Sequence, residues 1–76
     1  MLNAVLDGSK LVVVVSGDSV SEFSESLRDL AGMFASGDRI FDDNHKRWYI
    51  SNLEQYQHLP LVQNAQRAAE MQLPLF

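Results

Sequence analysis

Apolar positions in this chain recur at strand-like spacing, then at helical spacing, and then repeat that alternation once. Positions 2–6 alternate loosely, and Asp7-Gly8 follows as a two-residue turn, favoured because glycine tolerates positive φ. Lys10 then leads into Leu11, Val12, Val13, Val14 and Val15. Four successive β-branched valines predict a strand, and apolarity on both of its faces predicts a central, covered one. The two segments form a first hairpin, 2–6 with 10–16.

Ser16, Gly17 and Asp18 end that run, and Ser19 with Glu22 three residues later is a capping-box signature. Beyond it Val20, Phe23, Leu27, Leu30, Ala31 and Phe34 fall on one helical face, with Glu22, Glu25, Arg28 and Asp29 elsewhere. Gly32 weakens this helix slightly, and Gly37 suits its C-terminal cap. Arg39-Ile40-Phe41 and Arg47-Trp48-Tyr49-Ile50 then flank the polar stretch 42–46, a second hairpin. Strand alternation puts Trp48 and Ile50 on the core face, and Arg47 and Tyr49 on the other.

Ser51 and Glu54 repeat the capping-box spacing and open a helix with Leu53 and Tyr56 inward. Pro60 interrupts it. Either the helix kinks at Leu59-Pro60, or a second helix runs over about 60–71 with Leu61, Ala65, Ala68 and Ala69 as its apolar positions. Pro74 stops any helix and favours an extended tail. The order is ββαββα. One helix layer on one short, mainly antiparallel sheet buries both apolar faces most simply. An α+β fold is therefore expected over 1–71, with 72–76 as a separate C-terminal peptide.

At 76 residues the chain has room for one domain. Such a domain buries only about 60% of its unfolded surface and has little area for a deep substrate pocket. A small binding module is expected rather than an enzyme, with no catalytic residue and no cofactor. The absence of cysteine excludes disulfides and thiolate metal sites. The five-residue aliphatic run is too short to span a bilayer, and the first ten residues carry no basic stretch ahead of an apolar one. No membrane association, and a cytoplasmic location, are the expectations. The initial Met and the terminal motif suggest a whole protein rather than a cut domain. Ten acidic against six basic side chains leave a net charge of −4, which opposes general binding to nucleic-acid phosphates.

The sharpest feature is Gln72-Leu73-Pro74-Leu75-Phe76. It resembles the bacterial sliding-clamp-binding motif, Gln-Leu-Ser/Asp-Leu-Phe in its usual form. Gln72, Leu73, Leu75 and Phe76 match, and Pro74 departs at the more variable middle position. In an extended peptide Leu75 and Phe76 anchor in an apolar pocket while Gln72 fixes register by hydrogen bonds. The same apolar residues also suit a plug folded back on an undersized core, or a tail docked in a neighbouring copy of a small oligomer. The resemblance implies bacterial or phage replication machinery, with the sliding clamp as partner and this chain as adaptor or inhibitor.

A second pattern covers residues 11–59: a strand, a Ser-Glu-Phe helix, Arg39-Ile40-Phe41-Asp42, a polar turn, then Lys46-Arg47-Trp48-Tyr49-Ile50 leading into Leu53. It resembles the HARP-type domain beside annealing-helicase motors and the similar N-terminal domain of XPB-type helicases. That resemblance implies contact with branched or damaged DNA alongside a helicase, although this chain carries no motor. His45, Lys46 and Arg47 beside Trp48 and Tyr49 form its basic-aromatic cluster. Lys46 and Arg47 could grip phosphate, with Tyr49 free to stack on a base of single-stranded or branched DNA. A solvated hairpin tip above a core Trp48 accounts for the same residues.

Two other constellations carry less. Asp42, Asp43 and His45, with only His58 to recruit, fall short of a metal-ligand set and read as an Asp-rich turn, so no metal site is expected. Gly17-Asp18-Ser19-Val20 resembles the nucleophile block of GDSL-type hydrolases, but the Asp-x-x-His block of those much longer enzymes is missing. Ser19 reads as a helix cap.

Overall fold

The computed structural model describes residues 1–71, and the tail expected to be extended over 72–76 lies outside them. Strands β1 (Leu2–Asp7) and β2 (Lys10–Val15) form the first hairpin, and helix α1 (Val20–Met33) follows. Strands β3 (Arg39–Asp42) and β4 (Arg47–Ile50) form the second hairpin, and helix α2 (Pro60–Met71) follows it. Single 3₁₀ turns at Ser36–Asp38 and Leu53–Tyr56 complete the connections. The sheet is antiparallel throughout, in the order β1-β2-β4-β3. This is the α+β fold, in the ββαββα order, that the hydrophobic pattern predicts.

The first turn lies one residue later than Asp7-Gly8. Asp7 pairs with Lys10, so Gly8 and Ser9 form the loop, with Gly8 at a φ of 64°. A glycine in the first loop position is what a type II′ turn requires, whereas an Asp-Gly type I′ loop would also hold Asp7 at positive φ.

Register sorts the side chains. Val13 lies opposite both Ala4 and Trp48, and Trp48 lies opposite Phe41, so these four share a face. Leu2, Leu6, Leu11, Val15, Arg39 and Ile50 follow by alternation. The core forms on this face, where Leu11, Val13 and Ile50 meet Leu30 and Phe34, Tyr56, and Val62 and Ala65 of α2. The other face carries Asn3, Val5, Lys10, Val12, Val14, Ile40, Asp42, Arg47 and Tyr49, none of which joins the core cluster. β2 is thus central, but a helix covers it on one side only. Val14 is exposed in consequence. Val12 stays 3% exposed because Val5 and Tyr49 flank it from the neighbouring strands.

The α1 cap forms as its spacing predicts: the Glu22 N–H donates to Ser19 Oγ at 3.2 Å, and the Asp18 N–H donates to Glu22 Oε2 at 2.9 Å. Gly17 permits this entry, since a Cβ there would stand 2.7 Å from the Phe23 nitrogen. Only the C-terminal half of the expected apolar stripe is buried. Leu30 and Phe34 are in the core, whereas Ala31 is exposed, Val20 is 84% exposed and Phe23 41%. The seam also holds a polar residue, Ser26, whose Oγ accepts from the backbone nitrogen of Met1. Gly37 does not cap the helix. α1 ends at Phe34, extended at φ −124°, and Gly37 sits in the following 3₁₀ turn.

Pro60 begins a helix of its own, so the chain takes the second of the two courses open to it. Before it, Leu53–Tyr56 is only a 3₁₀ turn and Ser51 does not cap it. Asn52 holds the N-cap position in the left-handed region, at φ 52°, without a side-chain cap bond. The buried residues of α2 are Val62 and Ala65, while Leu61 and Ala69 are half-buried and Ala68 is exposed. The helix docks along the Val62-Ala65-Ala69 stripe, rotated from the face centred on Leu61 and Ala68, because it lies against edge strand β1.

Candidate functional site

The β3–β4 turn is organised by Asp42. Its Oδ1 accepts the N–H groups of Asn44 at 3.0 Å and His45 at 3.3 Å, and its Oδ2 lies 2.8 Å from His45 Nδ1. The Tyr49 hydroxyl also donates to Oδ2, at 3.2 Å. These bonds, the one from the His45 side chain first, hold the Asp42 carboxyl below the usual carboxylate range. Asp42 is thereby the acceptor of an Asx-type turn. Among the described residues, no group of three or more His, Cys, Asp or Glu side chains is placed to hold a metal ion.

The sheet divides the cluster of Lys46, Arg47 and Tyr49. Arg47 and Tyr49 share the helix-free face, where Arg47 Nε donates to the Tyr49 hydroxyl at 3.0 Å and the guanidinium lies 5.4 Å from the ring centroid. A further cation completes this arrangement: Lys10 Nζ stands 6.0 Å from the same centroid. Sequence reasoning misses Lys10. Its alternation with Val12 is readable, but only the β2–β4 register brings Val12 opposite Tyr49 and so carries Lys10 to its edge. The result is an open sheet surface of Val5, Val14 and Ile40 around one tyrosine bracketed by two cations. Asp42 on the same face is engaged by the turn.

Lys46 lies on the opposite side. It occupies the left-handed region at φ 55°, and its Nζ pairs with Asp43 Oδ1 at 2.7 Å in solvent. Together with Val15, Phe23, Leu27, Phe41 and Trp48 it lines a groove of about 510 Å³ between the N-terminal half of α1 and the β4–β3 edge. Trp48 packs onto the core through one side, meets Phe41 at 5.0 Å between centroids, and presents the rest to the groove. α1 docks through Leu30 and Phe34, and at its start Val20 and Phe23 are left out of the core. Phe23 and Phe41 are left 41% and 45% exposed.

The peptide Gln72, Leu73, Leu75 and Phe76 lies outside the described residues, directly after Met71 at the end of α2, whose side chain is 80% exposed. Comparison with protein-family models, with curated proteins and with solved structures finds no match. No helix among the described residues is long and apolar enough to cross a membrane. The chemistry of the site therefore rests on the residues themselves: an apolar C-terminal peptide, an aromatic-cationic sheet face and an aromatic groove.

Proposed function

We propose that this chain is a non-enzymatic, cytoplasmic interaction module of DNA replication or repair, which binds the bacterial sliding clamp through Gln72, Leu73, Leu75 and Phe76. The observation that carries this reading is the sequence itself. Four motif positions stand in order, directly after the exposed end of α2. The mechanism is occupancy. Leu75 and Phe76 fill the shared apolar pocket of the clamp, Gln72 sets the register, and the folded domain is carried along. Whatever else uses that pocket is displaced, so one contact serves an adaptor or an inhibitor.

A titration of the full chain against a bacterial sliding clamp tests this. Binding at a Kd of about 10 μM or tighter is expected. Leu75→Ala with Phe76→Ala should abolish it, as should removal of 72–76. Absence of binding by the full chain would sink the reading.

A second reading draws on the helix-free face. Tyr49 between Lys10 and Arg47 has the chemistry to stack on an unpaired base beside a phosphate, as in a DNA-binding accessory domain acting with a separate helicase. Lys46 faces the other side and contributes little to such a contact. Loss of binding to a single-stranded or branched oligonucleotide in Lys10→Ala with Arg47→Ala would support it. Failure of the unaltered chain to bind such DNA at low salt would remove it.

A further inference from the structure

We propose that the groove between α1 and β3 receives residues 72–76 of a second copy of this chain, so that self-association hides the peptide that would otherwise engage the clamp. The masking role rests on the clamp reading. The docking itself does not.

The groove has the shape and chemistry for such a segment. Its walls are Phe23 and Leu27 on the helix and Phe41 and Trp48 on the strands, with Lys46 as the charged residue on its lining. Two aromatic side chains are left about half-exposed where the fold could have closed over them. β3 is one of the sheet's two edge strands, so its outer backbone groups meet no other strand among the described residues. An extended peptide lying between α1 and β3 can pair with that edge while alternate side chains enter the groove. Leu73 and Leu75 would then share one side. Pro74 is tolerated with its nitrogen turned away from β3, as in an outermost strand.

The length of the tail decides whose groove it enters. The last turns of α2 lie against Val5 and Leu6 of β1, at one edge of the sheet. α1 packs on β2, the next strand, and the groove opens beyond it over β4 and β3. The straight line across the sheet from β1 is about 10 Å to β4 and about 14 Å to β3. α1 stands in its way, and a helix with its side chains is about 10–12 Å thick. Five residues span about 18 Å at full extension. A route over α1 takes up that reach, which favours the tail of another copy as the source of Leu73 and Leu75. A second copy carries the same tail free of this constraint. The exchange can be reciprocal, with two tails in two grooves, which closes the assembly at a dimer.

The sole tryptophan, Trp48, lies in the groove and reports on it. The experiment follows sedimentation and Trp48 emission of the full chain from about 1 μM to about 1 mM, the range of weak, small-interface association. A monomer–dimer transition is expected, with a blue shift of emission over the same range. Leu73→Ala with Leu75→Ala on the tail side should weaken dimerisation by at least about tenfold, as loss of anchor side chains does. So should Phe41→Asp on the groove side. Phe23→Ser, on a different element, tests the same wall should Phe41→Asp misfold. A full chain that stays monomeric throughout overturns the proposal. A dimer indifferent to the tail variants, or to both groove variants, also overturns it. Clamp binding is measured separately on Phe41→Asp, which keeps the motif intact. With the clamp reading correct, this variant binds at least as tightly as the unaltered chain. A chain that dimerises as described but binds no clamp loses the masking role and keeps the groove assignment.

Discussion

Asp38 and Tyr56 show how single side chains hold this small domain together. The Tyr56 hydroxyl donates to Asp38 Oδ2 and accepts the N–H of Ala35 at 3.1 Å, while Asn52 Nδ2 donates to Asp38 Oδ1 at 2.7 Å. Three bonds thus tie the segment after α1 to the segment after β4. The Tyr56 bond, and then that from Asn52, hold the Asp38 carboxyl below its ordinary value of 3.8. The bond to Asp38 raises the Tyr56 hydroxyl above its ordinary 10.0. The two shifts have opposite consequences. A carboxyl depressed on folding stabilises above its unfolded value and loses that contribution as pH falls through its folded value. Asp42, also depressed, acts in the same direction. A hydroxyl raised on folding stabilises below its unfolded value and loses that contribution as pH rises through its folded one. Thermal melts should therefore give a Tm that is flat across neutral pH as far as these groups are concerned, falling below about pH 4 and again above about pH 10. Tyr56→Phe should lower the Tm at pH 7 and flatten the alkaline fall. A Tyr56→Phe protein with an unchanged Tm and an unchanged alkaline limb would contradict the assignment.

Elements show which parts of the fold are legible in the chain. Ser-x-x-Glu occurs at Ser19-Glu22 and again at Ser51-Glu54. The first is a working cap because Gly17 lets the chain turn sharply into α1 and a long apolar helix follows. The second is not, because Asn52 is drawn into the left-handed region with its amide on Asp38, fourteen residues away. Local spacing cannot reveal a competitor that distant. Strand β2 and both hairpins are readable from β-branching and alternation. Which face the helices cover is not, because every residue from Leu11 to Val15 is apolar and only the register distinguishes Val13 from Val14. The same limit hides Lys10 beside Tyr49 and splits Lys46 from Arg47. Two substitutions separate the caps. Ser19→Ala should cost about 1 kcal/mol in urea denaturation. Ser51→Ala should stay within about 0.5 kcal/mol, the range of ordinary surface changes. Leu30→Ala, at the point where α1 enters the core, should cost about 2–5 kcal/mol, enough to threaten a domain of this size.

At the scale of the molecule, the candidate surfaces stand apart. Helix α2, which the motif follows in the sequence, ends against the β1 edge, the groove opens on the β3 edge, and the tyrosine lies on the face without helices. Such separation lets each be removed without the others. Lys10 and Arg47 are the two cations against Tyr49, so nucleic acid held there would release few counterions. At about 0.7 per phosphate for a single strand, two contacts give a slope of log K against log salt no steeper than about −1.4. The net charge of −4 works against anything stronger. Lys10→Ala with Arg47→Ala should flatten that slope towards zero, and Tyr49→Ala should weaken binding at every salt concentration without changing the slope, since stacking releases no ions. None of the three substitutions touches 72–76, so clamp titrations of the same variants should match the unaltered chain. A salt slope much steeper than two contacts allow would place the nucleic-acid surface elsewhere on the domain. Clamp binding that falls with Tyr49→Ala would mean that the sheet face and the peptide act as one surface.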